Sequence, residues 1–171
     1  SGSGGTALSF NYTVAASDNS PDLGYISTTA LALNGGTMKD MVGLNADLTL
    51  PAPGAAGSLS SNKNIAIDNI APTISTASVQ DNGTLPVLAD SKITYTTSEG
   101  VTTATMLLES KLGDSVTGAL TVDDPTHVSA NLSSPFTSGD ELTLTINALT
   151  DYAGNVTDGQ VYNYNIALIA D

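Results

Sequence analysis

Apolar side chains recur along this chain with the period of a β-strand, and a helical three-to-four-residue repeat is almost nowhere to be found. The strand-like runs cover residues 8–14, 26–33, 46–50 and 64–67. After Pro72 they resume at 73–79, 92–97, 104–108, 119–122, 127–132, 141–148 and 161–169. Clusters of Gly, Pro, Asn and Asp separate them, as tight turns require. Ser20-Pro21-Asp22-Leu23 is predicted as one short helical turn, and residues 51–62, rich in Pro, Gly, Ala and Ser, as an exposed loop. Short strands at this spacing predict an all-β chain of β-sandwich domains.

One phrase occurs twice. Asp151-Tyr152-Ala153-Gly154-Asn155 follows the run at 141–148, and a blurred copy, Asp40-Met41-Val42-Gly43-Leu44-Asn45, follows Thr29 to Lys39. Each copy precedes a further apolar-alternating run. The phrase implies tandem units, and it serves as a ruler. Measured back from Asp151 a complete seven-strand sandwich fits; measured back from Asp40 only about half of one does. Ile67-Asp68-Asn69-Ile70-Ala71-Pro72-Thr73, where proline forces an extended entry, is the best boundary. Residues 1–70 therefore read as the C-terminal portion of a module and residues 71–171 as a whole one. A half-sandwich leaves apolar faces and strand edges open, which invites completion by another chain.

Charge narrows the partners. Four lysines and no arginine stand against 17 acidic residues, for a formal charge of −13. Phosphate binding needs clustered Lys and Arg, so nucleic acid is excluded, and anionic membrane surfaces equally so. No apolar run is long enough to cross a bilayer. With no cysteine, disulfides, thiolate metal sites and Cys nucleophiles are excluded. Most acids are Asp beside Gly and Asn in turns, a hard-oxygen chemistry that favours calcium over zinc or copper. The competing reading is a solvated acidic surface that keeps the protein soluble.

Several phrases together resemble the bacterial immunoglobulin-like repeats of very large secreted surface adhesins, often found beside calcium-binding RTX nonapeptides. They run from Leu8-Ser9-Phe10-Asn11-Tyr12-Thr13-Val14 through Ser17-Asp18-Asn19-Ser20-Pro21-Asp22-Leu23 to Ser27-Thr28-Thr29-Ala30-Leu31-Ala32-Leu33-Asn34-Gly35-Gly36-Thr37. Ala46-Asp47-Leu48-Thr49-Leu50-Pro51 and the joint at 67–73 continue them, with Ile93-Thr94-Tyr95-Thr96-Thr97-Ser98-Glu99-Gly100-Val101 as a looser match in the second unit. The resemblance implies tandem Ig-like β-sandwich modules, the first lacking about thirty N-terminal residues. It also implies an extracellular stalk or filament stiffened by calcium at turns and joints.

Six residues are candidate calcium ligands. Asp68 and Asn69 lie at the joint, where an Asx-turn is the alternative reading. Asp151 and Asn155, with Asp158 nearby, form either a calcium loop or a β-turn with Gly154 at positive φ. Asp18 and Asp22, with Asn19 between them, either chelate or cap a short helix. Asp123-Asp124 is a carboxylate pair, but a chain without Trp lacks the aromatic platform usual for glycoside hydrolysis. His127 is the only histidine and no nucleophile-elbow pattern accompanies a serine, so the chain is not expected to be an enzyme. The expected function is structural: spacing and self-association, with strand complementation between subunits. The alternative is an adhesin domain recognising a glycan or another surface, with exposed aromatics in a concave patch.

Overall fold

The computed structural model describes Gly5, residues 7–157 and residues 159–169. The chain divides into two compact units, Ser1–Asn69 (unit 1) and Ile70–Asp171 (unit 2).

Unit 2 is an Ig-like β-sandwich. Its strands are β1 (Ile74–Ala77), β2 (Gly83–Leu85), β3 (Ser91–Thr97), β4 (Val101–Ser110), β5 (Thr117–Asp124), β6 (His127–Ser133), β7 (Glu141–Asp151), β8 (Val156–Thr157) and β9 (Gln160–Ile166). One sheet runs β1-β3-β6-β5; the other runs β2-β9-β7-β4, with β8 also paired to β7. That is the constant-type immunoglobulin order, with β2 added in parallel against β9. Each predicted run in this unit contributes to a strand. The two short strands β2 and β8 carried no apolar alternation and were not predicted.

Alternation builds the core. Ile93 and Tyr95 of β3, and Val128, Ala130 and Leu132 of β6, pack against Leu142, Leu144 and Ile146 of β7 and Tyr164 and Ile166 of β9. Burying each large side chain stabilises the sandwich by roughly 1.5–3 kcal/mol. The Tyr95 and Tyr164 hydroxyls meet at 2.8 Å across the two sheets, so neither phenol is buried without a polar partner. Burial pushes both phenols up, Tyr164 to about 12.

A bulge in β7 decides where its end points. Opposite β4, Thr105 pairs with Ala148 but Met106 pairs with Ile146, leaving Asn147 as the extra residue. Inward positions are even up to Ile146 and odd afterwards, at Leu149 and Asp151. Without the extra residue Asp151 would face solvent.

Unit 1 differs from expectation. The predicted strands at 8–14, 26–33, 46–50 and 64–67 form no ladder among the described residues. Only two isolated bridges occur, Ser20 with Ile67 and Lys39 with Asn45. Ser20-Pro21-Asp22-Leu23 is a bend and not a helical turn, because Ser20 exchanges both backbone bonds with Ile67. The predicted loop at 51–62 contains one short helix, α1 (Leu59–Asn62), capped by the Ser58 hydroxyl. The physical reason is coverage: a strand persists when neighbours pair its edge and pack its face. Here Leu8, Phe10, Tyr12 and Val14, at the alternate positions of the predicted strand, are 46%, 73%, 57% and 50% exposed.

Candidate functional site

The repeated phrase folds the same way twice. In unit 2 the Asp151 N–H donates to the Asn155 carbonyl at 3.1 Å. The Gly154 and Asn155 N–H groups return to Asp151 Oδ1 at 2.6 and 2.8 Å. In unit 1 the Asp40 N–H donates to the Leu44 carbonyl at 2.9 Å, and Asp40 Oδ1 accepts the Val42 and Leu44 N–H groups, both at 2.9 Å. Gly43 and Gly154 both take positive φ, 87° and 93°, three residues after the aspartate. The flanking register matches too: Thr150 pairs with Val156, and Lys39 with Asn45. Asp-x-x-Gly is therefore an Asx-capped bend, whose glycine supplies a conformation that L side chains avoid.

The surroundings of the two bends differ. Asp151 is 3% exposed, and its Oδ2 also accepts the Asn155 side-chain amide at 2.8 Å. Burial pushes its carboxyl up, but the Asn155 amide and the N–H groups of Asn155, Gly154 and Ala153 outweigh that and hold it below the usual range. Asp40 is exposed. Val101 of β4 pairs with Asp151, and this brings the turn before β4 alongside it. Carboxylate oxygens of Glu99 and Asp151 lie within 4.8 Å of each other. Ligands at 2.3–2.6 Å from a calcium ion sit up to about 5 Å apart, so this pair fits a hard dication as a partial ligand set. Of the predicted ligands, Asp151 belongs to this pair. Asn155 uses its side-chain amide on Asp151. Glu99 is not among the six expected ligands, since its proximity to Asp151 depends on β4 pairing with β7.

The remaining candidates lie in unit 1. Asp18 Oδ2 accepts the Tyr12 hydroxyl at 2.6 Å and the Ala15 N–H at 2.9 Å, which hold its carboxyl below the usual range. The Asn69 N–H donates to Asn19 Oδ1 at 2.8 Å, and its side-chain amide donates to the Ala15 and Asp18 carbonyls. Both side chains fasten unit 1 locally, but Asp18 caps no helix, and the Asn69 amide reaches carbonyls 54 and 51 residues away where an Asx-turn would bond its own neighbours. Asp22 and Asp68 are exposed. Asp158 lies outside the described residues.

A second buried carboxylate was missed as a site. Asp140, 2% exposed, accepts the Ser110 hydroxyl at 2.7 Å and the N–H groups of Leu112 and Glu141 at 3.1 and 2.7 Å. It fastens the end of β4 to the start of β7. Burial pushes it up, while the hydroxyl and backbone donors pull it below the usual range. Asp123 and Asp124 are engaged separately, Asp123 by the Ser129 hydroxyl at 2.5 Å and Lys92 at 3.0 Å, Asp124 by His127 at 2.9 Å.

Unit 1 also carries an apolar groove of about 390 Å³, lined by Phe10, Tyr25, Ala30, Leu31, Leu50 and Leu59. Phe10, Ala30, Leu31 and Leu50 come from predicted strand runs, whereas Tyr25 and Leu59 lie outside them.

No protein-family model matches the chain, and no curated protein matches it. Among solved structures it is similar to the N-terminal part of the bacterial S-layer protein SbsC, at 11% identity and a TM-score of 0.39. The match covers 57% of this chain, and this chain spans about a quarter (24%) of that one. A likeness this distant carries no argument about function. Among the described residues no helix is long and apolar enough to cross a membrane.

Proposed function

We propose that this chain is a structural, self-associating piece of an extracellular bacterial surface filament or adhesin. In this reading unit 1 is the C-terminal portion of an Ig-like module, completed by a strand from another chain, and unit 2 is a whole module that sets spacing. The observation that carries it is the repeated bend. Behind Asp151 stands a full sandwich, whereas behind Asp40 the same bend is attached to runs that form no ladder among the described residues and to an open apolar groove. An inserted strand with apolar side chains at alternate positions would cover that groove and pair the open edges.

Charge favours the same unit. Residues 1–69 hold two lysines and five aspartates, a formal charge of −3, and the remaining residues carry −10. Like-charged copies repel least through unit 1. Calcium would be held by Glu99 and Asp151, where it would neutralise two facing carboxylates and stiffen the turn before β4.

The alternative is recognition of a glycan, for which Phe10 and Tyr25 offer aromatic surface. The lining of the groove favours an apolar strand over a sugar, because Ala30, Leu31, Leu50 and Leu59 give hydroxyls nothing to bond. Light scattering and electron microscopy of the purified chain, with calcium and then with chelator, test the proposal. Concentration-dependent ordered assemblies are expected, looser in chelator. A monodisperse, fully folded monomer at all concentrations would sink it, and glycan-array binding by such a monomer would favour the alternative.

A further inference from the structure

Of the asparagines in this chain, only Asn34 and Asn82 precede glycine. Both adopt left-handed backbone, at φ 46° and φ 64°, but the structure treats the two dipeptides differently. Asn82-Gly83 is pinned. The Asn82 N–H donates to the Asn163 carbonyl at 2.7 Å, and the Gly83 N–H to the Gln80 carbonyl at 2.8 Å. The Asn82 carbonyl accepts the Asn165 amide at 2.9 Å, and the Asn82 amide itself donates to Asp81 at 3.0 Å. Packing is tight as well: a Cβ on Gly83 would meet Val79 Cγ1 at 2.5 Å.

Asn34-Gly35 is open. It forms the two central residues of an exposed turn closed by one bond, from the Gly36 N–H to the Leu33 carbonyl at 2.8 Å. The Gly35 N–H makes no hydrogen bond among the described residues, and nothing lies within 4 Å of where its Cβ would be.

We propose that Asn34 is a site of spontaneous covalent modification by intramolecular deamidation, and that Asn82 is protected from it by the fold. The Gly35 backbone nitrogen, deprotonated by solvent base, attacks Asn34 Cγ. The new N–C bond closes a succinimide ring as the C–NH2 bond breaks and ammonia leaves. Water then opens either ring carbonyl, leaving aspartate or its β-linked isomer at position 34. The balance is one water in and one ammonia out, with no oxidation or reduction. Glycine at position 35 matters because a side chain there would obstruct ring closure. The product adds a carboxylate to unit 1, taking its formal charge from −3 to −4. The isomer also lengthens the backbone by one carbon in a turn that has room for it.

The test incubates the folded chain in mildly alkaline buffer and follows cleavage products after lysine. Asn34 and Asn82 fall in different fragments, residues 1–39 and 64–92. Fragmentation spectra locate the mass gain of amide-to-acid conversion, and an isoaspartyl methyl-transfer assay reads the β-linked product. Conversion at Asn34 is expected to run at least about tenfold ahead of Asn82, since Asn82 must first lose several hydrogen bonds. In denaturant the two rates should converge. The proposal is overturned if Asn82 keeps pace in the folded chain. It is equally overturned if Asn34 stays intact over a period in which it converts in the denatured chain.

Discussion

Unit 2 keeps fifteen apolar residues away from solvent, while unit 1 has no buried apolar side chain among its described residues, although both contain the same Asp-capped bend. The bend needs only its own backbone, its aspartate and one glycine, so it forms in either setting. Strands depend on partners, and they form only where partners exist. The comparison separates local from cooperative structure within one chain: Asx-turns survive exposure, and ladders do not.

The largest expected effect comes from the cores. Leu144→Ala should destabilise unit 2 by about 2–5 kcal/mol in denaturant titration, because it opens a cavity at a fully covered site. Leu31→Ala in unit 1 should change the stability of the dilute chain far less. Equal effects would break the contrast.

Next come the paired bends. Asp151→Ala removes a buried carboxylate held by the Gly154 and Asn155 N–H groups and the Asn155 amide, and should cost about 1–3 kcal/mol. Asp40→Ala should cost less, because water reaches the Val42 and Leu44 N–H groups it releases. Calorimetry on both variants sharpens the comparison, and a larger loss at Asp40 would reverse it.

The smallest effects are those of pH on unit 2. Asp140 and Asp151 have folded-state pKa values below the ordinary carboxylate value of about 4. Their contribution is present above that value and is lost as pH falls through the folded ones. Tyr164, raised to about 12, works in the opposite sense: its contribution is full below about pH 10 and disappears as pH rises towards 12. The melting temperature of unit 2 should therefore fall at both extremes. A melting temperature still rising below pH 4 would contradict the account of the two carboxylates.

Unit 2 was legible because alternation and turn residues agreed: Ile93 and Tyr95, or Leu142 and Leu144, mark one face wherever they are read. Short β2 and β8 escaped because they are held by register and not by apolar period. Glu99 beside Asp151, and the β7 bulge at Asn147 that turns Asp151 inward, depend on cross-strand pairing that no local window contains. In unit 1 the alternation of Leu8, Phe10, Tyr12 and Val14 is plain, but a pattern fit for a strand does not supply the strand's neighbour. The Asn34-Gly35 turn further interrupts the run that corresponds to β7.

Hydrogen exchange read by mass spectrometry, on the same chain at low and at high concentration, tests the central claim most directly. Protection of unit 2 should be the same at both, whereas amides in residues 8–14, 28–33 and 46–50 should exchange freely when dilute and become protected when concentrated. Full protection of those segments at the lowest concentration would mean that unit 1 is complete within one chain, and would contradict the account.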